Sequence, residues 1–182
     1  CGSGTLLIEA ALIAYNIPAN IFRNRFGFEG WNDFDEKLWE KIKEVSLDKE
    51  THYCGKITGS DNFQKAVRIS RKNIENALLS DNIKVKTEDF FNNTIEAGTF
   101  VLFNPPYGER IPIEVYEFYE KVGNTLKHNY KGCSVWLISS DIENMKFIGL
   151  RPSRKIKVMN GKLECSFRKF EVYEGSKKAK KQ

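Results

Sequence analysis

The chain has 182 residues, of which 41% are hydrophobic and 29% are charged, and its formal net charge is +5. This is ordinary composition for one globular domain and does not suggest a disordered or fibrous chain. The positive charge is compatible with a nucleic-acid partner without requiring one. No apolar run approaches the ~18 residues of a membrane-spanning helix, so we expect no membrane association.

The four cysteines are widely spaced and include no C-x-x-C pair. They are Cys1, Cys54, Cys133 and Cys165. This spacing predicts neither a zinc site nor a disulfide framework, and it favours a reducing, cytoplasmic compartment. We therefore expect no bound metal, and the sequence leaves the oligomeric state open.

The chain begins with a glycine-rich loop, Cys1-Gly2-Ser3-Gly4-Thr5, and apolar residues then recur at helical spacing up to Tyr15. Ser3 or Thr5 is the expected N-cap of this helix, and Pro18 its stop. Glycines let a ligand approach the backbone, and a helix N-terminus attracts an anionic group. Loop and helix form half of a strand–loop–helix unit. We therefore expect the missing strand before Cys1 and expect this chain to be the C-terminal part of a longer protein.

Residues 20–32 interleave Arg23 and Arg25 with aromatic side chains. This pattern occurs at RNA-binding surfaces, where arginines and aromatic rings contact unpaired bases. A loop packed on the neighbouring helix explains it equally well, and that helix is predicted over residues 33–45. Both interpretations remain open at this point.

Two predicted strands end in acidic residues. Residues 56–61 end at Asp61 and precede a helix predicted over residues 62–79, and residues 83–88 lead to Asp89 and Phe90. An acidic side chain at the end of the strand that follows a glycine-rich loop can accept hydrogen bonds from a ribose diol. Helix N-capping is the local alternative for Asp61. Asp89 can accept from an exocyclic amine, with Glu88 as the alternative, and Phe90 can cover a purine face.

The apolar strand Phe100–Phe103 runs directly into Asn104-Pro105-Pro106-Tyr107. Two prolines remove two backbone donors and fix φ twice, and the first keeps Asn104 out of the helical region. The result is a stiff corner that holds an amide, free carbonyl oxygens and an aromatic ring. Such a corner can grip a planar group that carries an amine, because the oxygens accept its hydrogens and the ring stacks on its face.

The C-terminal half continues with a helix over residues 113–129 and a buried strand over residues 133–139, after which Ser140 or Asp141 can cap a short helix. Residues 154–159 and 162–173 then alternate around Asn160-Gly161, a strong hairpin signal. Alternating strands and helices that close with an antiparallel hairpin predict an α/β fold with a mainly parallel sheet. Residues 176–182 contain four lysines and are expected to be a solvated tail.

Four predicted strand ends therefore carry chemically distinctive residues, and parallel strands bring such ends to one edge of a sheet. The glycine loop, Asp61 and Asp89 suit an adenosine that bears an amino acid, and the proline corner suits an amine. S-adenosylmethionine donating a methyl group to an exocyclic nitrogen fits both descriptions.

The sequence resembles class I S-adenosylmethionine-dependent methyltransferases, and more narrowly the THUMP-containing RNA guanine-N2 methyltransferases, which are often labelled N6-adenine-specific DNA methylases. The matching segments are Cys1-Gly2-Ser3-Gly4-Thr5 with Ile8-Glu9-Ala10-Ala11, Phe28-Glu29-Gly30-Trp31, Gly59-Ser60-Asp61, Asn104-Pro105-Pro106-Tyr107-Gly108-Glu109-Arg110 and Asn160-Gly161-Lys162-Leu163-Glu164-Cys165. The resemblance implies a Rossmann-like sheet of order 3-2-1-4-5-7-6 with an antiparallel last strand. It implies a catalytic domain over residues 1–174, without strand 1, and a basic tail over residues 175–182. A THUMP-type RNA-binding region is expected to precede the domain.

The resemblance also implies roles for individual residues. Cofactor binding is expected of Gly2, Ser3, Gly4, Thr5, Asp61, Asn62, Asp89, Phe90 and Asn104. Catalysis is expected of Asn104, Pro105, Pro106 and Tyr107. RNA contact is expected of Arg23, Arg25, Tyr107 and Arg110.

The expected partner is 23S rRNA, and the expected product of the cofactor is S-adenosyl-L-homocysteine (SAH). Adenine N6, cytosine N4 and a protein glutamine are alternative methyl acceptors for the same corner. An RNA-binding module without catalysis is the non-enzymatic alternative, and the presence of Gly2, Gly4, Asp61 and Asn104 counts against it. Because strand 1 belongs at the centre of the sheet, we also expect that these 182 residues do not fold stably by themselves.

Overall fold

A computed structural model describes residues 1–21, 23–105 and 114–174. The chain divides into two compact units, Cys1–Glu88 and Asp89–Gln182. Pro106, Tyr107 and Arg110 lie outside the described residues, as does the predicted tail over residues 175–182.

The first unit places its helices around a two-stranded parallel sheet. Its elements are α1 (Thr5–Ala14), a 3₁₀ helix (Gly27–Gly30), α2 (Glu36–Leu47), β1 (Ile57–Asp61), α3 (Gln64–Asn76) and β2 (Ile83–Thr87). In the sheet, Ile57 lies opposite Ile83 and Asp61 lies opposite Thr87. The core consists of Ala11, Val67, Ile74, Leu79, Ile83 and Val85.

The amphipathic pattern of α3 explains why that helix packs where it does. Val67, Ser70 and Ile74 are its buried residues, and their spacing places them on one face of the helix. The partly buried strand residue Gly59 lets α1 lie close to β1, because a Cβ at this position would overlap the Leu7 side chain. These two contacts bring the N-terminal loop, the end of β1 and the middle of α3 into one neighbourhood.

The N-cap of α1 differs from the prediction. Neither Ser3 nor Thr5 caps the helix; the N-cap is Gly4, with φ of 84° and no side-chain hydrogen bond. The Ser3 and Thr5 hydroxyls instead bond each other at 2.9 Å. The left-handed turn at Gly4 is a conformation that glycine adopts at little cost, so backbone geometry and not side-chain capping starts this helix.

The second unit contains a four-stranded mixed sheet. Its elements are a 3₁₀ helix (Phe90–Asn92), β3 (Phe100–Phe103), α4 (Val115–Asn129), β4 (Ser134–Ser139), a second 3₁₀ helix (Asn144–Ile148), β5 (Arg154–Asn160) and β6 (Leu163–Glu171). The strand order is β3-β4-β6-β5. The β3–β4 pair is parallel, whereas β6 runs antiparallel to both of its neighbours. The buried face of α4 covers this sheet through Tyr119, Val122 and Leu126.

The predicted fold class is confirmed. In the predicted order 3-2-1-4-5-7-6, β2 and β1 correspond to strands 3 and 2, and β3, β4, β6 and β5 correspond to strands 4, 5, 7 and 6. The antiparallel last strand is β6. Strand 1 of that order has no counterpart among the described residues, and the strand order within each unit agrees with the prediction.

The hairpin turn lies one residue later than predicted. Asn160 pairs with Leu163 in the ladder, so the two loop residues are Gly161 and Lys162. Gly161 has φ of 61°, and the first loop position of a type II′ hairpin requires such a positive φ. The glycine therefore determines where the turn occurs, and Asn160 is the last residue of β5. Among the helices of the described residues, none has both the length and the apolar character needed to cross a membrane.

Candidate active site

In the first unit, Asp61 at the end of β1 holds the glycine-rich loop by its backbone. Its Oδ2 accepts hydrogen bonds from the Gly2 N–H at 2.9 Å and from the Cys1 α-amino group at 3.0 Å. Its Oδ1 accepts a third bond from the Phe63 N–H at 3.0 Å. The structure therefore brings together the first two sequence-predicted strand ends, and the same carboxylate also caps the turn into α3.

These hydrogen bonds set the ionisation of Asp61. Its side chain is 16% exposed. Burial by itself raises the pKa of this carboxyl group, but the Gly2 and Phe63 N–H groups lower it, and the charged amino group at which this chain begins lowers it further, so the pKa lies below its ordinary value. The carboxylate is therefore charged at neutral pH and acts only as a hydrogen-bond acceptor.

Two glycines of the loop are needed for different reasons. Gly2 has φ of 56°, and a Cβ built there would meet no atom within 4 Å. Gly4 has φ of 84°, and a Cβ there would overlap the Ser70 hydroxyl on α3. The backbone at Gly2 thus faces open space that a ligand can enter, whereas Gly4 lets the loop lie directly on a helix.

Two residues of α3 support this loop, and the sequence analysis did not identify them. The Asn73 side-chain amide donates to the Ser3 carbonyl oxygen at 2.8 Å. Ser70 is fully buried beneath Gly4, and its hydroxyl has no hydrogen-bond partner among the described residues. The only sequence signal was a polar residue within the apolar period of α3, at the position of Ser70.

Phe63 is a third residue that the sequence analysis did not identify. It is the N-cap residue of α3, the residue is 70% exposed, and its N–H donates to the Asp61 Oδ1. The preceding residue, Asn62, is exposed as well. An exposed phenyl ring offers a flat apolar face to a planar ligand. In the sequence, Phe63 could have been found as an aromatic residue in an otherwise polar junction between strand and helix.

In the second unit, Asp89 and Phe90 begin a 3₁₀ helix. The Asp89 Oδ1 accepts from the Phe91 N–H at 2.9 Å, and no donor among the described residues contacts its other oxygen. Glu88, the alternative to Asp89, is occupied in the first unit by an ion pair in which its Oε2 lies 2.8 Å from the Lys86 Nζ. The two carboxylates therefore differ in their neighbours, because Glu88 is paired with a lysine whereas Asp89 accepts from a backbone N–H.

Phe90 lies beside the end of β3. Its ring centroid is 4.8 Å from that of Phe103 and 5.2 Å from that of Tyr130. Phe103 is the residue before Asn104, so the Phe90 ring supports the strand that carries the proline corner. The half-buried ring packs against the core of this unit.

Asn104 and Pro105 directly follow β3, as predicted. Asn104 is exposed and Pro105 is buried. A buried proline anchors the corner, because its fixed φ and its packing restrict the backbone on which the Asn104 side chain is carried. The other two predicted catalytic residues, Pro106 and Tyr107, fall in the part of the chain that is not described.

The arginine and aromatic segment packs largely on itself and on α2. Phe28 contacts Trp39 with ring centroids 5.0 Å apart, and Phe26 stacks on Phe28 at 5.3 Å. These contacts support the interpretation of a loop packed on the neighbouring helix. Arg23 and Arg25 themselves are exposed; the Arg23 guanidinium lies 5.3 Å from the Phe26 ring centroid, and its Nε donates to the Arg25 carbonyl oxygen at 2.9 Å. Both arginines thus remain accessible on the surface.

The sequence-predicted site residues thus fall into two groups. In the first unit, the loop residues contact Asp61. In the second unit, Phe90 contacts the residue that precedes Asn104. Within the described ranges, no cluster of three or more His, Cys, Asp and Glu side chains is arranged to hold a metal ion, although the His52 Nδ1 lies 3.5 Å from the Cys54 Sγ.

Known proteins are similar to this chain in sequence and in fold. Over 183 residues the chain is 36% identical to the ribosomal RNA large subunit methyltransferase K/L of Shewanella baltica strain OS185, covering 97% of this chain and 26% of that protein. The crystal structure of SMU.472 complexed with SAH matches with a TM-score of 0.84 and 29% identity, covering 97% of this chain and 47% of that chain. A predicted N6-adenine-specific DNA methylase from Listeria monocytogenes matches with a TM-score of 0.81 and 27% identity, covering 94% of this chain and 45% of that chain.

The fold is that of the class I methyltransferases. Residues 1–169 match the RMKL-like methyltransferase domain, and the chain belongs to that family. The chain spans about a quarter of the length of the curated relative and just under half of each solved chain.

Proposed function

We propose that this chain is the catalytic part of a cytoplasmic enzyme that methylates guanine N2 in large-subunit rRNA, with S-adenosylmethionine as the methyl donor. The observation that carries the proposal is the glycine-rich loop bound through the Gly2 N–H to the Asp61 carboxylate. The family assignment and the printed name of the Shewanella relative support a methyltransferase that acts on rRNA.

The residues of the first unit fit an adenosine that carries an amino acid. The loop offers open space at Gly2, and the following helix N-terminus offers N–H groups that lack acceptors within the helix. Asp61 is charged and lies next to the exposed Phe63 ring. Such a ligand needs three kinds of contact. Its ribose hydroxyls need a carboxylate, its base needs a flat apolar face, and its amino-acid carboxylate needs a helix N-terminus.

Roles in cofactor binding are assigned accordingly. Gly2, Ser3, Gly4 and Thr5 form the loop that approaches the amino-acid end, while Asp61 and Asn62 bind the ribose. A ribose hydroxyl must share the Asp61 carboxylate with the Gly2 and Phe63 N–H groups, and a carboxylate has about four lone-pair positions. Asp89 accepts from the adenine amine through its remaining oxygen, and Phe90 lines the base. The bound cofactor supplies a methyl group on a positively charged sulfur.

Asn104 and Pro105 are assigned to the acceptor amine. The guanine N2 lone pair is delocalised into the ring, so it needs orientation more than it needs a strong base. The Asn104 side chain and the Pro105 carbonyl oxygen accept the two amine hydrogens, which aims the lone pair at the methyl group and stabilises the positive charge growing on nitrogen. Pro106 keeps the corner rigid and Tyr107 stacks on the base. Arg23, Arg25, Tyr107 and Arg110 contact the RNA, and the N2 proton passes to water after transfer.

A second acceptor, adenine N6, is kept because a solved relative is named as a predicted N6-adenine-specific DNA methylase. The proline corner by itself suits any planar amine, including cytosine N4 and a glutamine side chain. The guanine assignment therefore depends on the Gly108-Glu109-Arg110 extension in the sequence and on the rRNA named for the relatives.

The proposal is tested with the full-length gene product and tritium-labelled S-adenosylmethionine. Purified 23S rRNA, genomic DNA and a release-factor protein are offered in parallel, and labelled RNA is digested so that the modified nucleoside can be identified. We expect label in rRNA as N2-methylguanosine. Label only in DNA as N6-methyladenine, only in the protein, or in none of the three would contradict the proposal.

A further inference from the structure

The first unit has a groove of about 560 Å³ between α3 and the outer edge of β2. Its lining includes four cationic side chains and one carboxylate. They are Arg68, Arg71, Lys72, Lys84 and Glu75. None of these residues belongs to the site described above.

The cations of this groove are only partly neutralised. Glu75 pairs with Lys72 at 3.0 Å, and both side chains are exposed. Arg68 and Lys72 stand four residues apart on α3, where two like charges on one helix face destabilise the helix slightly. Gathering positive charge here costs stability, and a polyanionic partner would offset that cost.

The geometry of the groove adds to its charge. The Arg71 Nη2 donates to the Val85 carbonyl oxygen at 2.8 Å, which holds the guanidinium against the strand edge. Ile74, Ile83 and Val85 form a buried apolar backing behind the cations. Charges that lie against low-dielectric protein are screened less than charges surrounded by water, so their field extends further into the groove.

The edge of β2 is also open within its sheet. Among the described residues β2 pairs only with β1, and it corresponds to strand 3, which ends the sheet order of this fold. Edge strands often carry lysines simply to prevent pairing with another strand. That explanation covers Lys84, which lies on β2, but it does not cover Arg68 and Lys72, which lie on the helix opposite the edge.

We propose that this cationic groove binds phosphates of the RNA backbone, as a second contact with the RNA apart from the methyl-acceptor site. The inference rests on the proposed function, because it takes RNA as the partner. Lys and Arg side chains that contact phosphates fix the register of a nucleic acid without reading its sequence. The groove therefore contributes affinity and orientation, and the methyl-acceptor site selects the base.

The test measures the dissociation constant for a 23S rRNA fragment and for an unrelated structured RNA over a range of salt concentrations, using the full-length gene product. The variant carries Arg68→Gln, Lys72→Gln and Lys84→Gln. Its control carries Arg154→Gln, Lys155→Gln and Lys157→Gln on β5, the edge strand of the other sheet. Each set removes one arginine and two lysines, and each breaks one exposed ion pair, Lys72–Glu75 or Lys157–Glu164.

Affinity for RNA falls as salt rises, and we expect the groove variant to make the slope of log affinity against log salt shallower by roughly 0.7–0.9 per lost contact, or about two to three in total, for both RNAs. The control is expected to keep the wild-type slope. SAH affinity should stay unchanged in both variants, and Arg68→Lys alone, which retains the charge, should keep the slope. An unchanged slope in the groove variant, or equal losses in both triple variants, would overturn the inference. If the edge of β2 instead pairs with a strand of another polypeptide, the groove variant should keep the wild-type slope.

Two controls separate this inference from the proposed function. If wild-type protein binds SAH and methylates rRNA while the groove variant keeps the wild-type slope, only the groove assignment fails. If wild-type protein fails to bind SAH, the proposed function itself fails. A groove variant that loses SAH affinity together with RNA affinity would show that the substitutions damage the unit, and it would also count against a separate phosphate site.

Discussion

The Asn73 side chain donates a hydrogen bond to the Ser3 carbonyl oxygen at 2.8 Å, and these two residues stand 70 positions apart in the chain. Asn73 therefore acts on the glycine-rich loop from a neighbouring helix and need not touch the cofactor. Together with the Asp61 carboxylate, which accepts from the Gly2 N–H, it restrains the backbone that the proposal assigns to cofactor binding.

Replacing Asn73 with aspartate should weaken SAH binding. An ionised aspartate has the same shape but cannot donate to the Ser3 carbonyl, so the loop loses one hydrogen bond worth about 0.5–1.5 kcal/mol, roughly two- to tenfold in affinity. Isothermal titration calorimetry with SAH measures this, with Asn76→Asp at the exposed end of α3 as the matched control. If Asn73→Asp lowers thermal stability and leaves SAH affinity unchanged, the contact serves only the fold.

Gly4→Ala should destabilise the first unit because of Ser70. The new Cβ overlaps the Ser70 hydroxyl, and alanine also adopts the left-handed φ of 84° with strain. Ser70→Ala should partly rescue this variant, since the next nearest atom, the residue 70 Cβ, lies 3.3 Å away. Ser70→Ala alone should cost little stability, because it removes a buried hydroxyl that has no hydrogen-bond partner among the described residues.

Thermal unfolding of Gly4→Ala, Ser70→Ala and the double variant measures how far the stability effects at positions 4 and 70 depend on each other. Gly2→Ala is the control, because its new Cβ meets no protein atom and its strain comes only from φ of 56°. We expect Gly2→Ala to lose SAH affinity while retaining more stability than Gly4→Ala. If the stability changes of Gly4→Ala and Ser70→Ala simply add in the double variant, the new Cβ at position 4 does not clash with the Ser70 hydroxyl.

The contribution of Asp61 to stability should depend on pH in a defined direction. Its folded pKa is lowered, so its carboxylate stabilises the folded state at neutral pH, and this stabilisation is lost as the pH falls below about 4 towards the lower folded value. The gap in thermal midpoint between wild type and Asp61→Asn should therefore be widest near neutrality and narrow on acidification. Asp81→Asn, at an exposed turn, is the control. A gap that widens as the pH falls would contradict the hydrogen-bond assignment.

Asn104→Ala should abolish methyl transfer while SAH affinity stays close to the wild-type value. The proposed role of this side chain is to accept an amine hydrogen of the base, and alanine has no acceptor. Single-turnover methyl transfer and SAH titration measure the two effects separately. Asn92→Ala, at an exposed asparagine of the same unit, should change neither. Lost SAH binding in Asn104→Ala would place Asn104 on the cofactor instead.

These 182 residues, produced by themselves, should not unfold in one cooperative transition. The described strands form a two-stranded sheet and a separate four-stranded sheet. A two-stranded sheet is stable only when its apolar face is well covered, and the expected central strand is not among the described residues. Differential scanning calorimetry measures this, with the full-length gene product as the reference. A single sharp transition with matching calorimetric and van't Hoff enthalpies would refute it.

Local patterns in the sequence predicted most of the elements and their order. An apolar, β-prone run located β4, alternation located both hairpin strands, and helical spacing located α3 and α4. The acidic residue at the end of β1 was also placed correctly. These predictions succeeded because each depends on residues within one element, where the period of apolar side chains selects helix or strand. The N-cap of α1 and the hairpin turn were wrong because the left-handed φ of Gly4 and Gly161 overrode the side-chain signals at Ser3, Thr5 and Asn160.

The sequence by itself thus determined the class of fold and the family, and it supplied the predicted residues of the proposed site. Only the tertiary structure showed that Asp61 holds the loop by the Gly2 N–H, that Ser70 requires glycine at position 4, and that Asn73 binds Ser3. It also showed that four cations line one groove at the edge of β2. Each of these facts joins residues from different elements, and a period or a motif within one element carries no information on which distant residue will lie against it.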